Sequence, residues 1–310
     1  MKYVQHVNEV LRHIVAAHPS SILFGQNIDA ASCLSGLSRG LGAVNKGLTL
    51  NTQNSESTLV GVGFGAMLSG ASAVFLMKQT DFLLLGIDQL ANTYNILRQR
   101  SIKGSFTIVA VCVDSGYEGP QSALNNLDDF CSIANVEGFT CNSRLDTSAI
   151  FESQLFAPGF RILSVSQRFL REESLDLPIV ASNPTGHFYQ YYQGSDVTIA
   201  CFNFSLPNGL ALREHLLQNG AQSSVYSVNA VLDPECEEVL SNASRTGRLI
   251  VVNDTKSRNR SSDRFLVRAM RDYGIERVVV ADRNWGQGCY MPWHDQLEID
   301  MDEITQQILA

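Results

Sequence analysis

Residues 51–70 read NTQNSESTLVGVGFGAMLSG. They hold a single carboxylate, Glu56, followed only by small, apolar or hydroxyl side chains. Asn54 or Ser55 is suited to cap a helix that starts there, and the helix dipole favours a negative charge in the first turn by about 0.3–1 kcal/mol. Glu56 therefore has a purely structural explanation. The helix that follows complicates it. Gly61, Gly63 and Gly65 stand at alternate positions and Gly70 ends the run. Each interior glycine costs roughly 0.5–1 kcal/mol against alanine. A helix that keeps them is expected to approach another backbone closely, and a carboxylate at its mouth then belongs to an interface that carries chemistry.

The elements around Glu56 alternate. Val4, Val7, Leu11, Ile14 and Val15 share one face of a helix over Tyr3–Ala17, and SSILFG follows as a short buried strand. Residues 56–69 form the glycine helix, SAVFLM a strand, and residues 81–100 a long helix with apolar residues at three- and four-residue steps. FTIVAVCV and FRILSVS are continuous apolar strands, as in a parallel sheet covered on both faces. The alternation predicts a doubly wound α/β domain over residues 1–177. Residues 178–194, with Pro184, an Asn-Pro step and no periodicity, read as a linker. DVTIACFNF, SSVYSVNAV, RLIVVND and ERVVVAD are strands alternating with helices, which predicts a second α/β domain over 195–310.

With 310 residues, 45% hydrophobic and 17% charged, the chain has a generous core and few surface charges, which implies a surface covered by another subunit. A net charge of -8 argues against nucleic acid and anionic membranes as partners. The seven cysteines include no C-x-x-C pair, so buried thiols in a cytoplasmic protein are expected. The N-terminal residues form an amphipathic helix and lack the apolar core of a signal peptide, and no apolar run reaches the ~18 residues of a membrane span. The six histidines lack metal-ligand neighbours, so no metal site is expected from this chain alone. SRNRSSDR, with three arginines, is either a solvated helix entrance or a docking or anion site.

Five blocks occur in a telling order: YVQHVNEVLRHIVAAHPSSILFGQNI, SGLSRGL, NSESTLVGVGFGAMLSG, TDFLLLGIDQLANTYNILRQRS and TGRLIVVND. Together they resemble the beta subunit of the 2-oxo acid dehydrogenase first component, in the transketolase-like group of thiamine diphosphate enzymes. The resemblance covers essentially the whole chain. It implies a pyrimidine-binding domain followed by a transketolase C-terminal-like domain. It also implies that Glu56 contacts the cofactor's aminopyrimidine ring. A carboxylate hydrogen-bonded to the far ring nitrogen drives the pyrimidine towards an imino form, which can take the proton from the reactive thiazolium carbon.

The family's Gly-Asp-Gly motif for magnesium and diphosphate is absent. The resemblance therefore implies only the pyrimidine-binding half of a split enzyme. An alpha-type partner would supply Mg2+ and the diphosphate grip, in an alpha2beta2 heterotetramer acting on a small-molecule substrate. Where the family has Gly-Glu after the first strand, this chain has Gly25-Gln26-Asn27. Gln79 stands where an aromatic residue often precedes the acidic position, and Phe82 follows as a candidate pocket wall. Gln26, Gln79 and Phe82 thus join Glu56 as expected cofactor contacts. The loop after VCV reads GYEGPQSALNN and lacks the usual histidine. Tyr117, Glu118 and Gln121 either line a different acceptor pocket or form a solvated turn. These departures favour a split transketolase-like enzyme that transfers a two-carbon ketol or acyl unit. The alternatives are a dehydrogenase subunit that acylates lipoamide and a subunit that only scaffolds its partner.

Overall fold

Ser105–Cys112 is buried along its whole length, so both of its faces must be covered. In the structure, a computed structural model that describes residues 1–114, 127–232, 234–282 and 297–310, this strand lies inside a parallel sheet. Its strands are β1 (Ile22–Gly25), β2 (Leu48–Asn51), β3 (Ser72–Met77), β4 (Ser105–Cys112), β5 (Glu137–Cys141) and β6 (Gly159–Ser166), in spatial order β2-β1-β3-β4-β6-β5. Alternate residues feed two cores. On one face Val74, Leu76, Val109 and Val111 pack with α1 (Tyr3–Ala17) and, later in the chain, Ile150 and Phe151. On the other face Phe75, Met77, Phe106 and Ile108 pack against Leu59, Val60, Phe64 and Met67. Those four belong to α3 (Glu56–Leu68), which follows the one-turn α2 (Leu41–Val44).

The glycines of α3 have unlike neighbours. A Cβ on Gly63 would lie 2.2 Å from the Phe106 ring, so this glycine makes room for an aromatic cluster within the chain itself. Phe106 meets Phe64 edge-on at 5.2 Å and Phe160 at 5.1 Å. Gly65 faces open space.

Residues 81–100 are helical but not one regular helix. Thr80–Gly86 is 3-10, Gln89–Thr93 makes a π turn, and α4 (Tyr94–Leu97) is α-helical. Periodicity identifies the face that such a segment buries but does not resolve its hydrogen-bond step.

A second irregularity follows β1. Cys33, Leu34 and Ser35 are all left-handed, with φ of 48°, 52° and 60°, and Asn27 and Ala31 add two more such residues. Left-handed L-residues each cost roughly 1–2 kcal/mol. The turn is anchored by the buried side chains of Leu34 and Leu37.

After α5 (Leu127–Ala134) and α6 (Arg144–Gln154), which flank β5, the chain enters a second sheet. Residues 178–194, read above as a linker, contribute β7 (Ala181–Ser182) and β8 (Phe188–Tyr192), which pair antiparallel at its edge. β9 (Val197–Phe202), β10 (Ser223–Val228), β11 (Arg248–Asn253) and β12 (Arg277–Ala281) complete the order β12-β11-β9-β10-β8-β7. α7 (Leu206–Gln218) and α10 (Met301–Leu309) cover one face, and α8 (Glu237–Thr246) and α9 (Ser261–Tyr273) the other. The first of these cores is continuous between the two sheets. The two-sheet α/β architecture matches the doubly wound fold class expected from the sequence. Among the described residues no helix is long and apolar enough to cross a membrane.

Two substitutions test this packing by thermal or urea unfolding. Gly63→Ala forces a methyl into the Phe106 ring and lowers stability by about 1–3 kcal/mol. Ser35→Gly relieves a left-handed residue and raises stability by up to about 1 kcal/mol, the reverse of the usual effect of glycine.

Candidate functional site

In a parallel sheet all carboxyl ends lie on one edge, and ligands collect where the strand order reverses direction. In the first sheet the chain runs from β1 outward to β2, then crosses to β3 on the other side of β1. The reversal falls between β1 and β3. Gly25 ends β1 with φ +151°, and a Cβ there would lie 2.2 Å from the Leu76 carbonyl oxygen. Only glycine lets β1 end so close to β3. The next residue is Gln26, half-buried, and then left-handed Asn27. β2 ends at Asn51, and Glu56 opens α3 five residues later. β3 ends at Met77 and leads into Gln79, which is buried, and Phe82, which is half-buried. Gln26, Glu56, Gln79 and Phe82 thus follow three adjacent strands at the same edge. Tyr117, Glu118 and Gln121 belong to the connection after β4 and lie outside the described residues.

Glu56 is half-buried, and among the described residues its carboxylate has no hydrogen-bond or ion-pair partner. The N-cap position, Ser55, makes no side-chain cap; its hydroxyl turns to Thr58 Oγ1 at 2.9 Å. Ser57 and Thr58, in the first turn of α3, are exposed in this chain. Further along, Val62 is 51% exposed and Leu68 is exposed too, beside the open Gly65. Leu84 and Leu85, on the 3-10 segment that packs against α3, are also exposed. A helix that is apolar all round is normally enclosed on every side. Here one side of it is uncovered.

No family model matches the chain. It is 22% identical over 266 residues to the beta subunit of acetoin:2,6-dichlorophenolindophenol oxidoreductase from Cupriavidus necator, covering 81% of this chain and 78% of that one. It is also 22% identical over 265 residues to the beta subunit of 2-oxoisovalerate dehydrogenase from Bacillus subtilis, covering 83% and 80%. Among solved structures, a split-gene transketolase described as an inactive beta4 tetramer superposes with a TM-score of 0.74 at 17% identity, covering 98% of this chain and 97% of that one. The chain is thus similar in sequence to beta subunits of this kind, and it shares the fold of the split-gene transketolase chain.

The chain also holds a buried polar seam that sequence reasoning missed. The carboxyl edges of its two sheets face each other. Asp114, after β4, accepts a hydrogen bond from Ser166 Oγ at 2.5 Å and from the Arg168 backbone N–H at 2.9 Å. The Arg168 guanidinium lies 3.7 Å from Asp114 and donates to Asp254 at 2.9 Å and to the Phe204 carbonyl at 2.9 Å. Burial pushes the Asp114 carboxyl above its ordinary range, opposed by Arg168 and Ser166.

Nearby, Asp146 accepts from Tyr191 Oη at 2.7 Å and from the N–H groups of Asn142 and Ser143 at 3.0 and 2.9 Å. Asn142 donates to the Asn203 carbonyl at 2.9 Å, and Asn203 donates to Asp128 at 3.2 Å. Burial raises the Asp146 and Asp128 carboxyls despite these donors. The sequence does carry a signal for the seam. VCVD, FTCN, ACFN and VVND each end an apolar strand on a short polar side chain. Among the described residues no three His, Cys, Asp or Glu side chains gather as metal ligands.

Arg168→Met leaves Asp114 and Asp254 buried without their cation. Removing one partner of such a pair lowers stability by about 3–5 kcal/mol, to be measured by urea unfolding. Loss of under 1 kcal/mol would show that the seam does not depend on Arg168.

Proposed function

We propose that this chain is the beta-like subunit of a split thiamine diphosphate-dependent enzyme. It transfers a two-carbon ketol or acyl unit from a ketose or 2-oxo acid to an acceptor. One observation carries the reading: an unpartnered carboxylate heads a helix with an uncovered apolar side, at the reversal point of the parallel sheet. A free carboxylate beside an apolar wall fits an aminopyrimidine ring. It accepts a hydrogen bond from a ring nitrogen, while apolar side chains exclude the water that would compete for it. When bound, the cofactor supplies a carbon nucleophile for the substrate carbonyl. The chain's own contribution is to hold a proton between Glu56 Oε and the ring nitrogen. Gln26, Gln79 and Phe82 border the same edge and would contact the ring, and Tyr117, Glu118 and Gln121 would line the acceptor side.

The other half of the site comes from a second protein. The sequence has no Gly-Asp-Gly motif, so the diphosphate and Mg2+ would be held by an alpha-type partner seated on α3, Leu84 and Leu85. The inactive beta4 form of the split-gene transketolase supports a requirement for that partner. An alpha2beta2 assembly pairs each Glu56 with one partner site.

The test is turnover of the chain co-expressed with its alpha-type partner, assayed with ketose phosphates, pyruvate and branched 2-oxo acids, with and without lipoamide. Ketol transfer without lipoamide is expected. Strict lipoamide dependence would assign the dehydrogenase role instead, and no turnover on any donor would leave a scaffold. Glu56→Gln should cut turnover by about 10²–10⁴ while assembly persists on size exclusion. Wild-type turnover in that variant would remove Glu56 from the chemistry.

A further inference from the structure

The carboxylate at the head of α3 has to be aimed, yet Ser55 does not cap the helix. Below it the nearest neighbour is the irregular 80–97 segment. A Cβ on Gly86 would lie 2.9 Å from Val60 Cγ2 and 3.5 Å from the carbonyl oxygen of Glu56 itself. Three residues later the π turn Gln89–Thr93 begins. It brings the Gln89 side chain to ordinary van der Waals contact with the position a Cβ would take on Gly61, with Cδ at 3.6 Å, Oε1 at 3.7 Å and Nε2 at 3.8 Å. Thr93 Oγ1 donates to Gln89 Oε1 at 2.7 Å and fixes that side chain. Val60 lies one turn after Glu56 on the same face of α3, because helix neighbours recur at four-residue steps, and Gly61 lies on the adjoining face. Gly86 packs against Glu56 and Val60, and Gln89 lies beside Gly61. Elsewhere π turns concentrate at functional sites, because the wider step re-aims the side chains that follow.

We propose that Gly86 and Gln89 are positioning residues that set the height and rotation of the first turn of α3 and so direct the Glu56 carboxylate. The proposal rests on the reading of Glu56 given above. Without a Cβ, Gly86 lets the 3-10 segment sit directly under the Glu56 carbonyl. Gln89, clamped by Thr93, stops the turn from rolling. An α-helical step in place of the π turn would rotate the side chains that follow it by about 100°.

The experiment has two readouts on the full chain. Hydrogen exchange followed by mass spectrometry, on the chain alone, reports on the amides of residues 59–62. Steady-state kinetics of the complex with the alpha-type partner report on chemistry. In Gln89→Ala, those amides exchange about tenfold faster, and kcat falls about tenfold or more with the KM for the donor unchanged. Gly86→Ala has the same effects because its methyl displaces Val60. Adding Val60→Ala removes the atom at 2.9 Å, so the double variant recovers kcat towards wild type although its core is smaller. A merely structural role predicts the opposite, a double variant worse than either single one, and that result overturns the proposal. So does unchanged exchange and kcat in Gln89→Ala. Glu56→Gln separates this proposal from the reading it rests on. Lost turnover with wild-type exchange at 59–62 supports both. Wild-type turnover removes the role of Glu56, and with it the claim that the pinning serves catalysis.

Discussion

Arg168 is the fastening on which the geometry depends. It emerges from the end of β6 in the first sheet and reaches Asp254 and the Phe204 carbonyl at the carboxyl edge of the second. In the second sheet the strand order reverses between β9 and β11, and Phe204 and Asp254 follow those two strands. The position where a doubly wound sheet usually takes a ligand is there occupied by a guanidinium from the chain itself. The equivalent position in the first sheet, between β1 and β3, stays at the surface. A partly buried cation between two carboxylates needs good geometry to offset its desolvation, and hydrogen bonds to Asp254 and the Phe204 carbonyl supply it, with Asp114 3.7 Å away.

That arrangement divides labour between the sheets. The second binds the first through a polar seam of Asp146, Asn142, Asn203 and Asp128, each held by neutral donors. The first presents Glu56 at its free edge. The uncovered side of α3 is consistent with half of a site. Val62, Leu68, Leu84 and Leu85 are too apolar for a face left to water, and their neighbour Gly65 leaves room for close approach.

The glycines of α3 show how one composition signal can hold several causes. A close approach to another backbone was the expectation. Gly63 instead accommodates the Phe106 ring within the chain, Gly61 meets the Gln89 side chain, and only Gly65 is open to an outside surface. The reverse case stands after β1, where Ala31, Cys33, Leu34 and Ser35 adopt backbone angles that glycine would hold at less cost. No residue type in that stretch announces the strain.

The sequence alone determined the alternation of elements, the edge-to-edge burial of strands such as Ser105–Cys112, and the place of Glu56 at a helix start, because these follow from local hydrophobic period and chain order. The resemblance carried by its motifs is what points to a cofactor class. Tertiary structure decided the rest. Strand order placed Gln26, Glu56 and Gln79 after adjacent strands at one edge of the sheet, although the first and last are 53 positions apart in the chain. It turned part of the supposed linker into β7 and β8, since an antiparallel edge pair needs no apolar period of its own. It also joined Asp114, Arg168 and Asp254 across two sheets. Ion pairs between residues 54 and 86 positions apart leave no periodic trace, because only the folded chain brings them into reach.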